Sequence, residues 1–152
     1  MRLRCASAAL FAVLLVSCAT SAPVSTRAPM SDLLGIRLGM PRDTVRATLA
    51  DIAKLEREER RRQEVWTLAN DSRYASLIIG YTPEWNVRFV TAVAKPDGAP
   101  VHYEDVLDTA TADHRTAGNT HTWTWSTGTP KYYVIAIGPA DRLEYLSLKA
   151  SP

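Results

Sequence analysis

The sequence predicts an α+β fold, in which an antiparallel sheet of about six strands from two α-βββ units has helices packed on one face. Three observations lead to this prediction. One segment has helical periodicity, three β-rich segments separated by turn residues follow it, and the same order of patterns returns in the second half of the chain. With 152 residues, 46% of them hydrophobic, the chain can form one ordinary domain but not a large multidomain enzyme.

The first eighteen residues have the layout of an export signal. Two arginines lie within the first four residues, and the apolar run over 8–16 is shorter than the roughly 20 residues that a membrane-spanning helix needs. The run ends in Leu15-Val-Ser-Cys18, which resembles a bacterial lipobox. The resemblance implies a signal peptide over residues 1–17 and acylation of Cys18 with chains such as palmitate. An ordinary signal peptide that happens to contain a cysteine is the alternative.

Residues 18–31 are interpreted as a lipidated tether, because they include a small, polar, proline-containing stretch. Ala19 rather than aspartate follows the cysteine, which in lipoproteins of double-membraned bacteria implies export to the outer membrane. We therefore expect a protein of the bacterial cell envelope, held by its lipid on the periplasmic face of the outer membrane if the source has two membranes.

Removal of the signal peptide changes the charge of the chain. The full sequence has 18 Lys and Arg against 16 Asp and Glu, and cleavage after residue 17 would remove two arginines and no acid, which leaves 16 of each sign. A formally neutral domain argues against nucleic-acid binding. Cys5 would leave with the signal, so the domain would have no free thiol for a disulfide, a metal or a nucleophile.

Residues 40–53 have the pattern of an amphipathic helix. Val45, Leu49 and Ile52 form one apolar stripe, and Arg42 and Arg46 are expected to face solvent.

The next ten residues, 54–63, are the most charged part of the chain. Glu56 with Arg60 and Glu58 with Arg62 have the i,i+4 spacing of helical ion pairs, so the helix continues here or the segment is a solvated loop. Its acids offset most of its arginines, which argues against an RNA- or lipid-binding patch.

The pattern then changes to that of a three-stranded meander. Residues 64–68, 74–81 and 87–93 are rich in β-branched and aromatic side chains, and turn clusters at 69–72 and 82–86 separate them.

A similar order of predicted elements follows in the second half of the chain. Residues 103–112 predict a short helix, and strands are predicted over 120–126, 132–138 and 143–148. The first of these strands alternates strictly and places His121, Trp123 and Trp125 on one face.

The two halves match residue by residue. The matched residues are Trp66 with Trp123, Arg73-Tyr74 with Lys131-Tyr132, Ile79-Gly80 with Ile137-Gly138, and Phe89-Val90-Thr91 with Tyr145-Leu146-Ser147. We interpret residues 32–150 as a single domain of two α-βββ repeats, over about 32–96 and 101–150. The alternative is that any two antiparallel meanders look alike.

The stretch Gly35–Leu49 (GIRLGMPRDTVRATL), followed by a strand that contains Trp66, resembles a signature of small lipoproteins. In it a Gly-Met step opens a helix and a valine follows about five residues later. The chain is similar over residues 33–93 to the SmpA/OmlA (BamE-type) outer-membrane lipoproteins and, more broadly, to the fold of the β-lactamase inhibitory protein, a tandem of such units. The resemblance implies an α+β envelope lipoprotein.

The sequence gives little indication of catalysis. It has no Gly-x-Ser-x-Gly elbow and no glycine-rich phosphate loop, and none of its three histidines has a metal-ligand spacing. We therefore expect no catalytic residue, no metal and no cofactor, and we expect His121 to be a half-buried structural residue. The acid/His cluster over 102–114, which includes His102, Asp105 and His114, leaves open a small enzyme or a metal-binding protein.

Aromatic residues are the candidate binding residues. Those on strands are most simply core residues, although some can line a sheet surface that holds a partner. Trp85 differs, because it lies in the turn 82–86, where burial is harder to arrange. The predicted partner-binding residues are Trp85, Tyr81, Trp123 and Trp125.

These observations predict a non-enzymatic, membrane-anchored lipoprotein that binds or scaffolds another envelope protein. Its expected partners are the membrane, through the lipid, and an envelope protein, with no nucleic acid and no small-molecule substrate. One alternative is an inhibitor that uses the same surface against a soluble hydrolase, and others are the 102–114 site and a purely structural lipoprotein without a specific partner.

Overall fold

The computed structural model of the chain describes residues 30–59, 62–129 and 131–151. The signal peptide and the acylation predicted for residues 1–18 lie outside these ranges. The elements are α1 (Arg42–Leu49), β1 (Ala53–Glu59), β2 (Gln63–Leu68), β3 (Tyr74–Tyr81), β4 (Val87–Ala94), a 3-10 turn (Tyr103–Asp105), β5 (Asp113–Ala117), β6 (Thr120–Thr127), β7 (Tyr132–Gly138) and β8 (Tyr145–Ala150). All eight strands form one antiparallel sheet in the order β1-β2-β3-β4-β8-β7-β6-β5.

The prediction of six strands with helices packed on one face is wrong. The sheet has two further strands, β1 and β5, which are its two edges, and α1 is the only α-helix in the described ranges. Each half is therefore a four-stranded meander. Side chains of an edge strand can stay in water, so β1 and β5 are mostly charged or polar and lack the alternation that marks a half-buried strand.

Both predicted helices are shorter in the structure. The helix predicted over 40–53 ends at Leu49, and Ile52, expected on its apolar stripe, is 45% exposed. In the charged segment 54–63, residues 54–59 belong to β1, so this part of the segment is neither a helix nor a loop. In the second half, the predicted helix over 103–112 is reduced to the 3-10 turn, because the Asp108 carboxylate forms a local turn, accepting hydrogen bonds from the Ala110 N–H and the Thr111 hydroxyl.

The two meanders meet at a central seam between β4 and β8. Thr91 pairs with Ser147, and their hydroxyl oxygens are 2.6 Å apart. On either side, Val90 pairs with Leu148 and Ala92 with Leu146, so the pairing is two-fold symmetric about Thr91 and Ser147.

Outward from the seam, the strand pairing gives a residue correspondence between the two halves that differs from the one predicted from the sequence. It places Trp125, rather than Trp123, at the position that corresponds to Trp66. Trp123 takes the position that corresponds to Glu64. Strand register, not residue type, determines which residues are equivalent.

The two faces of the sheet differ in burial. One face packs against α1 and the segment around the 3-10 turn, and its central side chains are almost completely inaccessible: Leu77, Ile79, Val90, Leu146 and Leu148. The opposite face, called the open face below, carries half-buried apolar side chains: Val65, Ile78, Phe89, Ile135 and Ile137. In the part of the chain that the structure describes, no helix is long and apolar enough to cross a membrane.

Candidate protein-binding site

A tight turn between β3 and β4 presents the side chain of Trp85. The Trp85 N–H donates to the carbonyl of Thr82 (3.0 Å), and the Asn86 N–H donates to the Thr82 hydroxyl (3.3 Å). These bonds hold Trp85 at φ 63°, in the left-handed region, which costs a residue with a Cβ about 1–2 kcal/mol. The residue is nevertheless at the surface, with 40% of its area exposed.

The indole of Trp85 lies over the guanidinium group of Arg42, at the start of α1. The guanidinium carbon is 4.4 Å from the ring centre, within the range of a cation–π contact. The Arg42 N–H also donates to the Trp85 carbonyl (2.9 Å), and the ring of Tyr81 is 5.9 Å from the indole. Trp85 is therefore fixed through both its backbone and its ring.

Arg42 is held in turn by a buried carboxylate. Glu64, on β2, is 1% exposed, and its Oε1 accepts hydrogen bonds from Arg42 Nε (2.7 Å) and from Arg46 Nε (2.9 Å) and Nη2 (2.6 Å). Its Oε2 accepts from the Tyr81 hydroxyl (2.7 Å) and from Trp66 Nε1 (3.2 Å).

A second carboxylate completes this group. Glu58 bonds to Arg42 Nη2 (2.7 Å) and to Arg46 Nη2. We call Arg42, Arg46, Glu58 and Glu64 the Glu64 cluster. Its two positive and two negative charges balance.

The electrostatics of the Glu64 cluster keep both its carboxylates ionised. Burial by itself raises the pKa of Glu64, but hydrogen bonds from Tyr81, Arg42 and Arg46 outweigh it, and the pKa lies below its ordinary value. Burial, together with the hydrogen bond to Glu64, raises the pKa of Tyr81. Hydrogen bonds from the two arginines also lower the pKa of Glu58. The cluster therefore remains charged and anchors α1 to the sheet.

The other predicted binding residues do not form a surface with Trp85. Tyr81 and Trp125 are 2% and 6% exposed and belong to the core. Trp123 is half-buried, with its ring 6.1 Å from that of Tyr103. Of the four predicted residues, Trp85 alone offers a large exposed area.

The structure separates the members of the 102–114 cluster. The Nδ1 atom of His102 is 2.9 Å from the carbonyl of Asp141, and the Asp105 carboxylate accepts from the His102 N–H (3.0 Å). His114 instead bonds to His121, which is half-buried. Within the described ranges, no group of three or more His, Cys, Asp or Glu side chains is placed to hold a metal ion.

Arg42 and Glu64 were missed by sequence reasoning, which expected Arg42 to face solvent. One signal was present: Glu64 shares the alternation of Trp66 and Leu68, so it lies on the inward face of its strand. A carboxylate there requires buried cationic partners, and the sequence does not show which arginines supply them.

The chain matches no protein-family model, no curated protein and no solved structure. The resemblance of residues 33–93 to SmpA/OmlA lipoproteins and to the β-lactamase inhibitory protein therefore stays a prediction. Fold and site define the class: a small antiparallel-sheet protein that presents one rigidly held aromatic side chain.

Proposed function

We propose that this chain is a lipid-anchored protein of the bacterial envelope, acylated at Cys18, which binds another envelope protein through the surface formed by Trp85 and Arg42. The observation that carries the proposal is the exposed indole of Trp85, held in a strained backbone conformation over Arg42. Backbone strain at an exposed position persists where the surrounding structure enforces it, and it is commonest at functional sites.

The chemistry of the two residues also supports a protein partner. Tryptophan and arginine are the side chains most enriched among interface residues that contribute most to affinity. Arg42 is held by Glu64 and Glu58, so the indole above it loses little conformational freedom when a partner binds. A rigid aromatic side chain of this kind is a preorganised contact.

The same geometry supports a structural role for Glu64, the buried carboxylate next to this surface. Both oxygens of the Glu64 carboxylate are occupied by hydrogen bonds from arginine, tyrosine and tryptophan side chains. A carboxylate in this state contributes structure and has no free oxygen for a substrate.

Photocrosslinking in native cells tests the proposal. A photoreactive amino acid placed at position 85 is compared with the same group at Ile52 (45% exposed) and at Tyr145 (43% exposed, on the open face). We expect one envelope protein to be captured from position 85 and not from position 52. With purified components, Trp85→Ala should then weaken binding by about thirtyfold, as expected of a central interface residue.

Cys18→Ala is the second arm of the experiment. This variant should leave the membrane fraction and lose the crosslink if anchoring brings the partners together. Capture from position 145 alone would contradict the assignment to Trp85 and favour the open face. Capture of a soluble hydrolase would support the inhibitor alternative, and no capture from any position would contradict a protein partner.

A further inference from the structure

A pair of histidines lies at the other edge of the sheet, away from Trp85. His114 is on β5 and His121 is on β6, so they are neighbours across the β5–β6 hairpin. In the symmetric arrangement of the halves, His114 takes the place of Glu58 and Trp123 takes the place of Glu64. The second half therefore has an imidazole and an indole, stacked on each other, where the first half has its two carboxylates.

The two imidazole rings meet head-on. His114 Nε2 is 2.9 Å from His121 Nδ1, the ring centres are 5.1 Å apart, and the ring planes differ by 12°. The distance between the centres is close to the N···N distance plus the two ring radii, so both nitrogens lie almost on the line between the centres. Each nitrogen thus points along this line at the other, with one proton between them.

Aromatic packing fixes the orientation of the His114 ring. The indole of Trp123 stacks on it, with ring centres 4.1 Å apart and planes within 12°. Trp123 in turn contacts Tyr103, which is buried in the core. Because His114 itself is exposed, an ion in solution can reach Nε2.

We propose that His114 and His121 form a two-coordinate site for a soft monovalent cation with a filled d shell, Cu(I) or Ag(I). Two donors that face each other along a line match the linear coordination of these ions. A tetrahedral or octahedral ion needs further ligands, and the described residues supply no third His, Cys, Asp or Glu there. The ion replaces the shared proton.

The exchange balances without a redox step. The proton on the bonded nitrogen moves, through water, to the other nitrogen of the same ring, so the exchange releases no proton. One N–H···N hydrogen bond breaks and two nitrogen–metal bonds form, each from a ring lone pair. With metal–nitrogen bonds of about 2 Å the nitrogens must separate to about 4 Å, which side-chain rotation on an exposed hairpin can supply.

The test uses the full chain with Cys5→Ser and Cys18→Ser, because thiolates bind the same ions. Ag(I) serves as the redox-stable probe, titrated while native mass spectrometry reports stoichiometry and histidine NMR reports the nitrogens involved. We expect one ion per chain and shifts at His114 Nε2 and His121 Nδ1. His114→Ala and His121→Ala should each weaken binding at least tenfold, and His102→Ala, the matched control, should not.

Three outcomes would overturn the proposal. Absence of stoichiometric Ag(I) binding is the first. Ag(I) binding that is unchanged in His114→Ala and His121→Ala would place the ion elsewhere, for example on methionine sulfur. Equally tight, histidine-dependent binding of Zn(II) or Ni(II) would show that the site is not linear. Circular dichroism of each variant checks that the sheet is intact.

Discussion

At the scale of single residues, Glu64 is the side chain that holds α1 against the sheet. Its carboxylate lies in the core and binds two partly exposed arginines, so removing its charge leaves both arginines without the buried partner that holds them against the sheet. We expect Glu64→Gln to lower the free energy of unfolding by about 3 kcal/mol at pH 7, measured by urea denaturation. Glu58→Gln, which changes an exposed member of the same cluster, should have a much smaller effect. Equal effects would contradict the assigned role of Glu64.

The pH dependence of stability follows from the lowered pKa of Glu64. A carboxyl whose folded-state pKa lies below its ordinary value of 4.5 stabilises the fold fully above pH 4.5, and this contribution is lost as the pH falls through the folded-state value. The difference in stability between the wild type and Glu64→Gln should therefore be constant near neutral pH and shrink in acid. A difference that persists unchanged at pH 3 would contradict this linkage.

Two substitutions at Trp85 can separate the effect of backbone strain on stability from the effect of losing the indole. Trp85→Ala and Trp85→Gly both remove the ring, but glycine adopts a positive φ without steric cost. We expect the glycine variant to be more stable than the alanine variant by about 1 kcal/mol in thermal or urea unfolding. Both should lose partner binding equally. A more stable alanine variant would show that the turn relaxes once the indole is removed.

At the scale of elements, the close approach between β7 and the loop before β8 depends on a glycine. A Cβ added at Gly138 would lie 2.4 Å from the Arg142 carbonyl oxygen and 2.7 Å from the Glu144 nitrogen, both backbone atoms. At Gly80 the nearest atom, 2.1 Å away, belongs to the Phe89 ring, which can rotate on the open face.

We therefore predict that Gly138→Ala destabilises the protein by roughly 1–3 kcal/mol, and by more than Gly80→Ala does. Chemical denaturation of the two variants side by side measures the difference. The opposite order would mean that the loop before β8 moves more easily than the Phe89 ring.

At the scale of the whole molecule, the seam between β4 and β8 makes the two meanders one cooperative unit. Separation of the halves would expose the paired edges of both strands and the core that they share. We predict a single unfolding transition that is the same by tryptophan fluorescence and by circular dichroism. Leu146→Ala, in the seam, should shift both curves together, by about 2–5 kcal/mol, and Tyr145→Ala, on the open face, should shift them little. Two separate transitions would contradict this prediction.

Local periodicity in the sequence was enough to predict the central strands. The alternating and β-branched runs predicted β3 and β7 with the bounds that the structure has, and the helical stripe of Val45 and Leu49 predicted α1. These patterns are readable because each of these elements has one face in the core. The edge strands β1 and β5 have no comparable apolar alternation, so the sequence did not predict them.

The sequence by itself thus determined which segments have a buried face, and it supplies the prediction of a lipid anchor at Cys18. Only the tertiary structure decided which segments meet: Thr91 with Ser147 across the seam, Arg42 with Glu64, and His114 with His121 across a hairpin. Periodicity records the burial of a residue relative to its neighbours in the chain. The partner of a charged or titratable side chain depends on strand order and register, which are set by the packing of the whole sheet.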